Sequence, residues 1–367
     1  MKDFNFFQEA PENTLKFLTK LDVNNDFNFQ MTQTGNTRIG TKLNLGFLCY
    51  VLKIYKMTNH WSTLNEATQQ KLKLKIAQYQ NNKDPYRGYF IDTNMYKYLF
   101  GYVNEFQIKE IVKKASATLL KNNIEPKKVK IQKIINAEHK QAISTLKEVG
   151  YDDFKHSKLD LYGYSSAADF LDSFDWSKPW DAGAQFSSFC VYSNIIKEPT
   201  KTELLNFISK KVDVETGSYF ENNIKDPRQI INGAMKVISG LDWLDAEIHS
   251  PEKLIDFCLS NVPKFEGCDL VDYVYVLYKC SQHTNYKKAQ IATVLLEILN
   301  VIKMLYYPNE NGFSYFLNKS QTMYYSVRVS VQKKQADLHG TILSVWAIIM
   351  ILEILEENNK DYQLIKP

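Results

Sequence analysis

Asp337 and His339 stand two positions apart at the entrance to an apolar run, Thr341 to Leu352. A carboxylate beside an imidazole is an acid–base pair: the acid fixes the ring tautomer and the free nitrogen moves a proton. Asp269 and Asp272 open another apolar segment, and Glu138 enters a third. Asp272, His339, Asp337 and Glu138 therefore form the candidate catalytic set. Lys236 also stands near the start of an apolar segment. A cation there opposes the helix dipole, so a Lys236 that faces a cavity calls for a carboxylate or phosphate beside it. Asn232, Asp181, Gln185, Asp269, Trp180 and Tyr219 are the further candidate ligand contacts, and Asn44 and Gln141 occupy comparable places.

Each of these residues has a plainer reading. Asp and Asn at helix starts cap free N–H groups, and His339 could be a structural histidine. Aromatics at helical spacing fill cores, which applies to Trp176, Trp180, Tyr219, Phe220, Tyr273, Tyr275, Phe313 and Trp346. Capping does not call for Glu138, Lys236 or His339. If the aromatics line a cavity, their faces suit a carbocation or a sugar ring, and the many polar neighbours favour the polar ligand. The chain carries no phosphate loop, no G-x-S-x-G elbow and no H-E-x-x-H.

These residues recur at the starts of mostly apolar segments, and that recurrence sets the architecture. Six units can be marked, roughly residues 20–80, 81–150, 151–197, 198–245, 246–283 and 284–355. Each ends in an apolar helix: about 42–57, 142–149, 186–196, 232–241, 273–278 and 341–352. Amphipathic helices lie between them, near 64–80, 105–121, 166–174, 202–211, 251–259 and 287–306. Ile291, Val294, Leu295, Ile298, Val301 and Ile302 show the three-and-four spacing. Ser166 and Ser250 read as N-caps, and Thr200 with Glu203 as a capping box. No unit buries its own apolar face alone. The expectation is one all-α domain over residues 1–367, an (α/α)6 toroid with apolar inner helices ringed by amphipathic outer ones. The inner-helix starts then converge at one mouth of the ring.

The charge is nearly balanced, 45 basic against 41 acidic residues for a net +4. No arginine-rich stripe argues for nucleic acid. Five scattered cysteines without a C-x-x-C pair suit buried thiols in a reducing compartment. With no signal-like N-terminus, and an apolar run soon interrupted by Glu353, the expectation is a cytoplasmic protein without a transmembrane segment. The partner expected is a small molecule, an isoprenoid or a glycan.

The repeat architecture over roughly residues 20–355 resembles the α/α-toroid superfamily of terpenoid cyclases and protein prenyltransferase β-subunits. Local similarity lies in Leu270-Val271-Asp272-Tyr273-Val274-Tyr275 and in Asp337-Leu338-His339-Gly340-Thr341. In the prenyltransferases an Asp, a Cys two residues later and a His hold catalytic zinc. Asp272 and His339 match two of these, but Val274 stands where the Cys belongs, so zinc is not expected and no cofactor is predicted. The cyclases' Asp-x-Asp-Asp motif is absent. The resemblance implies a central cavity and a terpenoid-cyclase or prenyltransferase-like enzyme. The alternatives are a carbohydrate-active hydrolase, lyase or epimerase on an α/α barrel, with Glu138 paired to Asp269 or Asp272, and a non-catalytic binding scaffold.

Overall fold

A computed structural model describes residues 4–84, 86–101, 105–120, 127–154, 161, 163–263 and 266–367. Pro85, Lys121 and turn residues 264 and 265, which the sequence assigns to a turn, a helix end and a second turn, lie outside them. In chain order the helices are α1 (Asn5–Leu21), α2 (Leu45–Met57), α3 (His60–Thr63), α4 (Glu66–Ala77), α5 (Thr93–Phe100), α6 (Glu105–Leu120), α7 (Lys127–Glu148) and α8 (Ala167–Asp172). They continue with α9 (Pro179–Ile196), α10 (Lys201–Ile208), α11 (Pro227–Trp243), α12 (Pro251–Ser260), α13 (Gly267–Ser281), α14 (Lys288–Leu305) and α15 (Leu338–Ile354). Two short hairpins interrupt this order between α14 and α15: β1 (Tyr306–Tyr307) with β2 (Gly312–Phe313), and β3 (Met323–Tyr324) with β4 (Val327–Arg328).

Helices α2, α7, α9, α11, α13 and α15 contact one another in a cycle; α7 departs from the expected apolar inner helix, since it carries Lys127, Lys128, Lys130, Lys133, Lys140 and Lys147 beside its buried face. α2 packs on α7, α7 on α9, α9 on α11, α11 on α13, α13 on α15, and α15 returns to α2. The amphipathic helices lie against them: α1 on α2 and α15, α4 on α2 and α7, α8 and α10 on α9, α12 on α13, and α14 on α13 and α15. α15 is buried nearly throughout, from Leu338 to Leu352, because its sequence is apolar all round. α9 and α11 approach most closely. A Cβ on Gly233 would stand 2.5 Å from the Pro179 ring, and one on Gly240 2.9 Å from Cys190 Sγ. The Ser187 and Ser239 hydroxyls bond across the same seam at 2.8 Å. This contact carries Lys236 inward.

The caps divide. Ser166 accepts from Asp169 N–H at 3.0 Å, and Thr200 accepts from Glu203 N–H at 3.2 Å. The Thr200 box is not reciprocal, because Glu203 Oε1 accepts instead from Ala168 N–H at 3.2 Å. Ser250 makes no side-chain cap; Pro251 behind it has no N–H to satisfy. Helix α1 lies ahead of the first unit marked in the sequence, and Pro11 lies inside it. It is nonetheless held by an apolar face of Phe7, Ala10, Pro11, Phe17, Leu18 and Leu21. The inner helix of the second unit begins earlier than expected, at Lys127. All five cysteines are free, and all but Cys268 are buried. Among the described residues no helix is long and apolar enough to cross a membrane.

Candidate functional site

The six helices of the cycle carry partly open positions among mostly buried ones, apart from outward-facing residues such as Lys133. Among them are Tyr50 on α2, Ala137, Lys140 and Gln141 on α7, Ala184 on α9, Lys236 on α11, Cys268 and Asp269 on α13, and His339 and Leu343 on α15. Their flanking residues are mostly buried. Several of these side chains keep open surface, yet burial is what shifts their ionisation. Burial pushes the Tyr50 phenol well up, Cys268 up to about 11 and His339 down to about 4. Tyr325, at the tip between β3 and β4, is 39% exposed, and burial still dominates the rise of its phenol. We read these partly open side chains, whose ionisation burial shifts, as the lining of a proposed recess.

Asp272 lies at the centre of this wall. It is 1% exposed, and its Oδ1 faces Lys236 Nζ at 3.6 Å. Its Oδ2 is buried without a hydrogen-bond partner. Burial raises its carboxyl to about 6, Lys236 opposes that rise and Asp269 adds to it. Asp269 accepts from Asn232 Nδ2 at 2.6 Å and lies 3.6 Å from Arg228. His339 stands across from them. Its ring stacks on Tyr50 with centroids 5.2 Å apart and tilts against Tyr315 at 4.9 Å. Its Nδ1 is buried and unpartnered. Burial first, and then the Lys236 charge, keep the imidazole neutral. Tyr315 OH accepts from Cys268 N–H at 3.0 Å, which fixes the phenol over the start of α13.

A second group joins the same interior from α7. Glu138 is 2% exposed; its Oε2 accepts from Asp92 N–H at 3.0 Å and its Oε1 has no partner. Burial, reinforced by the Asp92 charge, pushes this carboxyl well above its ordinary range. Glu138 in turn raises the Tyr324 and Tyr325 phenols, after burial and other groups. Asp92 is a hub. It accepts from Asn44 N–H at 2.9 Å and Leu45 N–H at 3.3 Å at the start of α2, and from Asn94 N–H at 2.9 Å at the start of α5.

The sequence candidates separate accordingly. Asp272, Lys236, Asp269, Asn232 and His339 come together, and Glu138 reaches the same interior by another side. Asp337 does not pair with the His339 ring. Its Oδ1 accepts from Gly340 N–H at 2.7 Å, and its Oδ2 accepts from Tyr315 and Gln321 N–H at 2.8 and 2.9 Å. It is an N-cap and a clamp, because three backbone donors take up both oxygens. The expected pairing of Glu138 with Asp269 or Asp272 is also absent from the contacts: Glu138 meets Asp92, whereas Asp272 meets Lys236. Asp181 points outward to Lys133 at 3.4 Å. Gln185 is bound to Asn136 at 3.0 Å inside the α7–α9 contact. Trp180 is half-buried in the first turn of α9. Tyr219 is fully buried against His249 at 3.2 Å.

Most of the aromatics read as wall candidates are core. Trp176 bonds Leu171 O at 2.9 Å, Tyr273 bonds Cys258 O at 3.1 Å, and Tyr275 bonds Asp242 at 3.2 Å. The wall tyrosines are Tyr50, Tyr315 and Tyr325, and two lysines, Lys53 and Lys140, were also missed. The available signal was a lysine inside a helix otherwise committed to burial, as in Leu52-Lys53-Ile54.

The zinc implied by the resemblance does not fit these residues. Val274 is fully buried where a thiolate would be needed, and the Lys236 ammonium is the cation that already faces Asp272. Among the described residues no three His, Cys, Asp or Glu side chains are grouped to hold a metal ion. No family model, curated protein or solved structure matches the chain.

Proposed function

We propose that the chain is an (α/α)6 toroid whose axial recess is the acid–base site of an enzyme acting on a polar, hydroxyl-bearing ligand of carbohydrate class. The cycle of helix contacts from α2 through α15 supports the ring. One observation carries the site. Asp272 Oδ2, His339 Nδ1 and Glu138 Oε1 are three of the six buried polar side-chain atoms without partners among the described residues; Tyr50, whose ring stacks on His339 and lies edge-on to Tyr324, links His339 to Tyr324, whose phenol Glu138 helps to raise. Buried polar atoms are almost always satisfied, so three together are explained by a ligand that satisfies them.

In this reading His339 is the general base, because its neutral ring keeps Nδ1 free for a proton. Glu138 is the general acid, since burial pushes its carboxyl well above its ordinary range and so favours the protonated form that can donate. Asp272, with Lys236 beside it, holds ligand hydroxyls and tunes charge. Tyr50 and Tyr315 offer ring faces for stacking. Phenols, a lysine and three carboxyls favour a wet, polar ligand over an isoprenoid tail, for which the cyclase-like class would want a drier wall.

The test is a binding and turnover screen of mono- and oligosaccharides against isoprenoid diphosphates. It is run on the wild type, Asp272→Asn and His339→Asn. The expected result is a sugar-class ligand whose turnover falls at least about 100-fold in His339→Asn. Isoprenoid turnover would establish the cyclase-like class instead. Sugar binding unaltered by both substitutions would overturn the recess as the site.

A further inference from the structure

The 45 basic residues include only four arginines, Arg38, Arg87, Arg228 and Arg328. Arg87 and Arg228 lie beside carboxylates, each at 3.5 Å, from Asp84 and Asp226. Arg38 makes no such pair, and it shares a cavity with Arg328. The cavity holds about 410 Å³ and is lined by Thr37, Arg38, Ile39, Lys42, Tyr98 and Arg328, so its described lining has three cations and no acid. The backbone beneath the cations is fixed. Thr37 N–H donates to Val329 O at 2.9 Å, and its hydroxyl donates to Arg328 O at 2.8 Å, which ties residues 37–42 to β4. A Cβ on Gly40 would stand 1.9 Å from Val329 O, so only glycine admits this approach. The Asn94 amide donates to Lys42 O at 2.9 Å and ties the same segment to α5, which carries Tyr98. The three basic side chains are exposed, and those of Arg38 and Lys42 make no hydrogen bond or ion pair among the described residues.

We propose that this cavity binds a small phosphomonoester with a ring-bearing body. Cations gathered around one concavity focus a positive potential and draw an anion in. Two guanidiniums and an ammonium exceed what a single carboxylate neutralises. A phosphomonoester brings about two negative charges and three acceptor oxygens, and a guanidinium fork matches phosphate oxygens two at a time. Ile39 and Tyr98 supply an apolar and an aromatic surface beside the cations, against which a ring can lie. The volume falls within the roughly 300–1,000 Å³ of small-molecule sites. The site is separate from the acid–base recess, since none of its six lining residues belongs to that wall.

The test titrates the full chain with phenyl phosphate, inorganic phosphate and phenol by calorimetry, and sediments it with vesicles containing phosphatidic acid. Phenyl phosphate should bind, inorganic phosphate more weakly and phenol not measurably. Arg38→Lys keeps the charge and loses the fork, so it should weaken phenyl phosphate about tenfold. Lys210→Gln removes the charge of an exposed lysine that takes no part in the cavity and should change nothing. Tyr98→Leu should weaken phenyl phosphate and spare inorganic phosphate. Phenyl phosphate that fails to bind the wild type, or that binds Arg38→Lys unchanged, would overturn the proposal. Inorganic phosphate bound as tightly as phenyl phosphate would overturn the ring contact. Capture on the vesicles without binding in solution would overturn it in favour of a lipid surface. None of the varied residues lines the recess, so either result leaves the His339 and Glu138 roles to their own test.

Discussion

Lys236 on α11 and Asp272 on α13 face each other at 3.6 Å, one 22% open and the other closed off at 1%. The pair is therefore unequal. If Asp272 is removed, the ammonium can turn toward the open recess. If Lys236 is removed, a carboxyl is stranded. Lys236→Met should destabilise the fold by about 3 kcal/mol, and Asp272→Asn by clearly less. Urea unfolding of the two single variants and the double checks this. The double should cost less than the sum, because the partners are coupled.

The same lysine governs the imidazole. In Lys236→Met the His339 ring should titrate higher than about 4, since the charge that helps depress it is lost. Proton NMR of the histidine ring resonances measures this, and an unmoved His339 would separate the two residues.

Acid should expose opposite signs at the two walls. Folded His339 titrates near 4 and the unfolded ring near 6.5, so the unfolded chain binds more protons between those values. Stability held above 6.5 is lost as pH falls toward 4, and His339→Asn should lack that loss. Asp272 is raised to about 6, so the folded chain binds the extra proton. The wild type should then lose stability relative to Asp272→Asn as pH rises from about 4 to 6. Thermal melts across pH 4–7 distinguish the two slopes.

Asp337→Ala should be a folding lesion rather than an active-site lesion. Three backbone N–H groups lose their acceptor at the start of α15, which costs about 3 kcal/mol. Where the protein still folds, ligand affinity per folded molecule should be kept. Calorimetry beside a binding titration makes the split.

A methyl at Gly46 would lie 1.7 Å from Tyr324 OH. Gly46→Ala should destabilise by about 1–3 kcal/mol through overpacking, and Tyr324→Ala in the same chain should recover part of it. Gly340→Ala meets the backbone of Ser314 and Tyr315 at 2.2–2.3 Å, so no second side-chain change should rescue it.

The helices were legible where periodicity and burial agree. α15 and α14 could be read from their apolar spacing, and the starts of α8 and α10 from Ser166 and Thr200. α1 precedes the units marked in the sequence, and the cost of its internal Pro11 is offset by the burial of Phe17, Leu18 and Leu21. His339 and Asp272 were legible as misfits in the first turns of α15 and α13, whereas Lys236, expected near a helix start, stands midway along α11, away from the positive end of its dipole. Asp337 misled because a cap and a catalytic carboxylate have the same spelling, and only its three backbone donors tell them apart. The wall tyrosines were illegible: Tyr50 and Tyr275 look alike in an apolar helix, and only the direction each faces decides between recess and core. Tyr325 depends on a two-residue hairpin that periodicity does not register.

His339 on α15 stacks on Tyr50 on α2, near the opposite end of the chain, so the proposed recess depends on the contact between these two helices. Joining segments so distant along the chain is the slow kind of contact to form. On the proposed reading the site is therefore assembled late, and a loosened α2–α15 seam would silence it while the helices themselves persist.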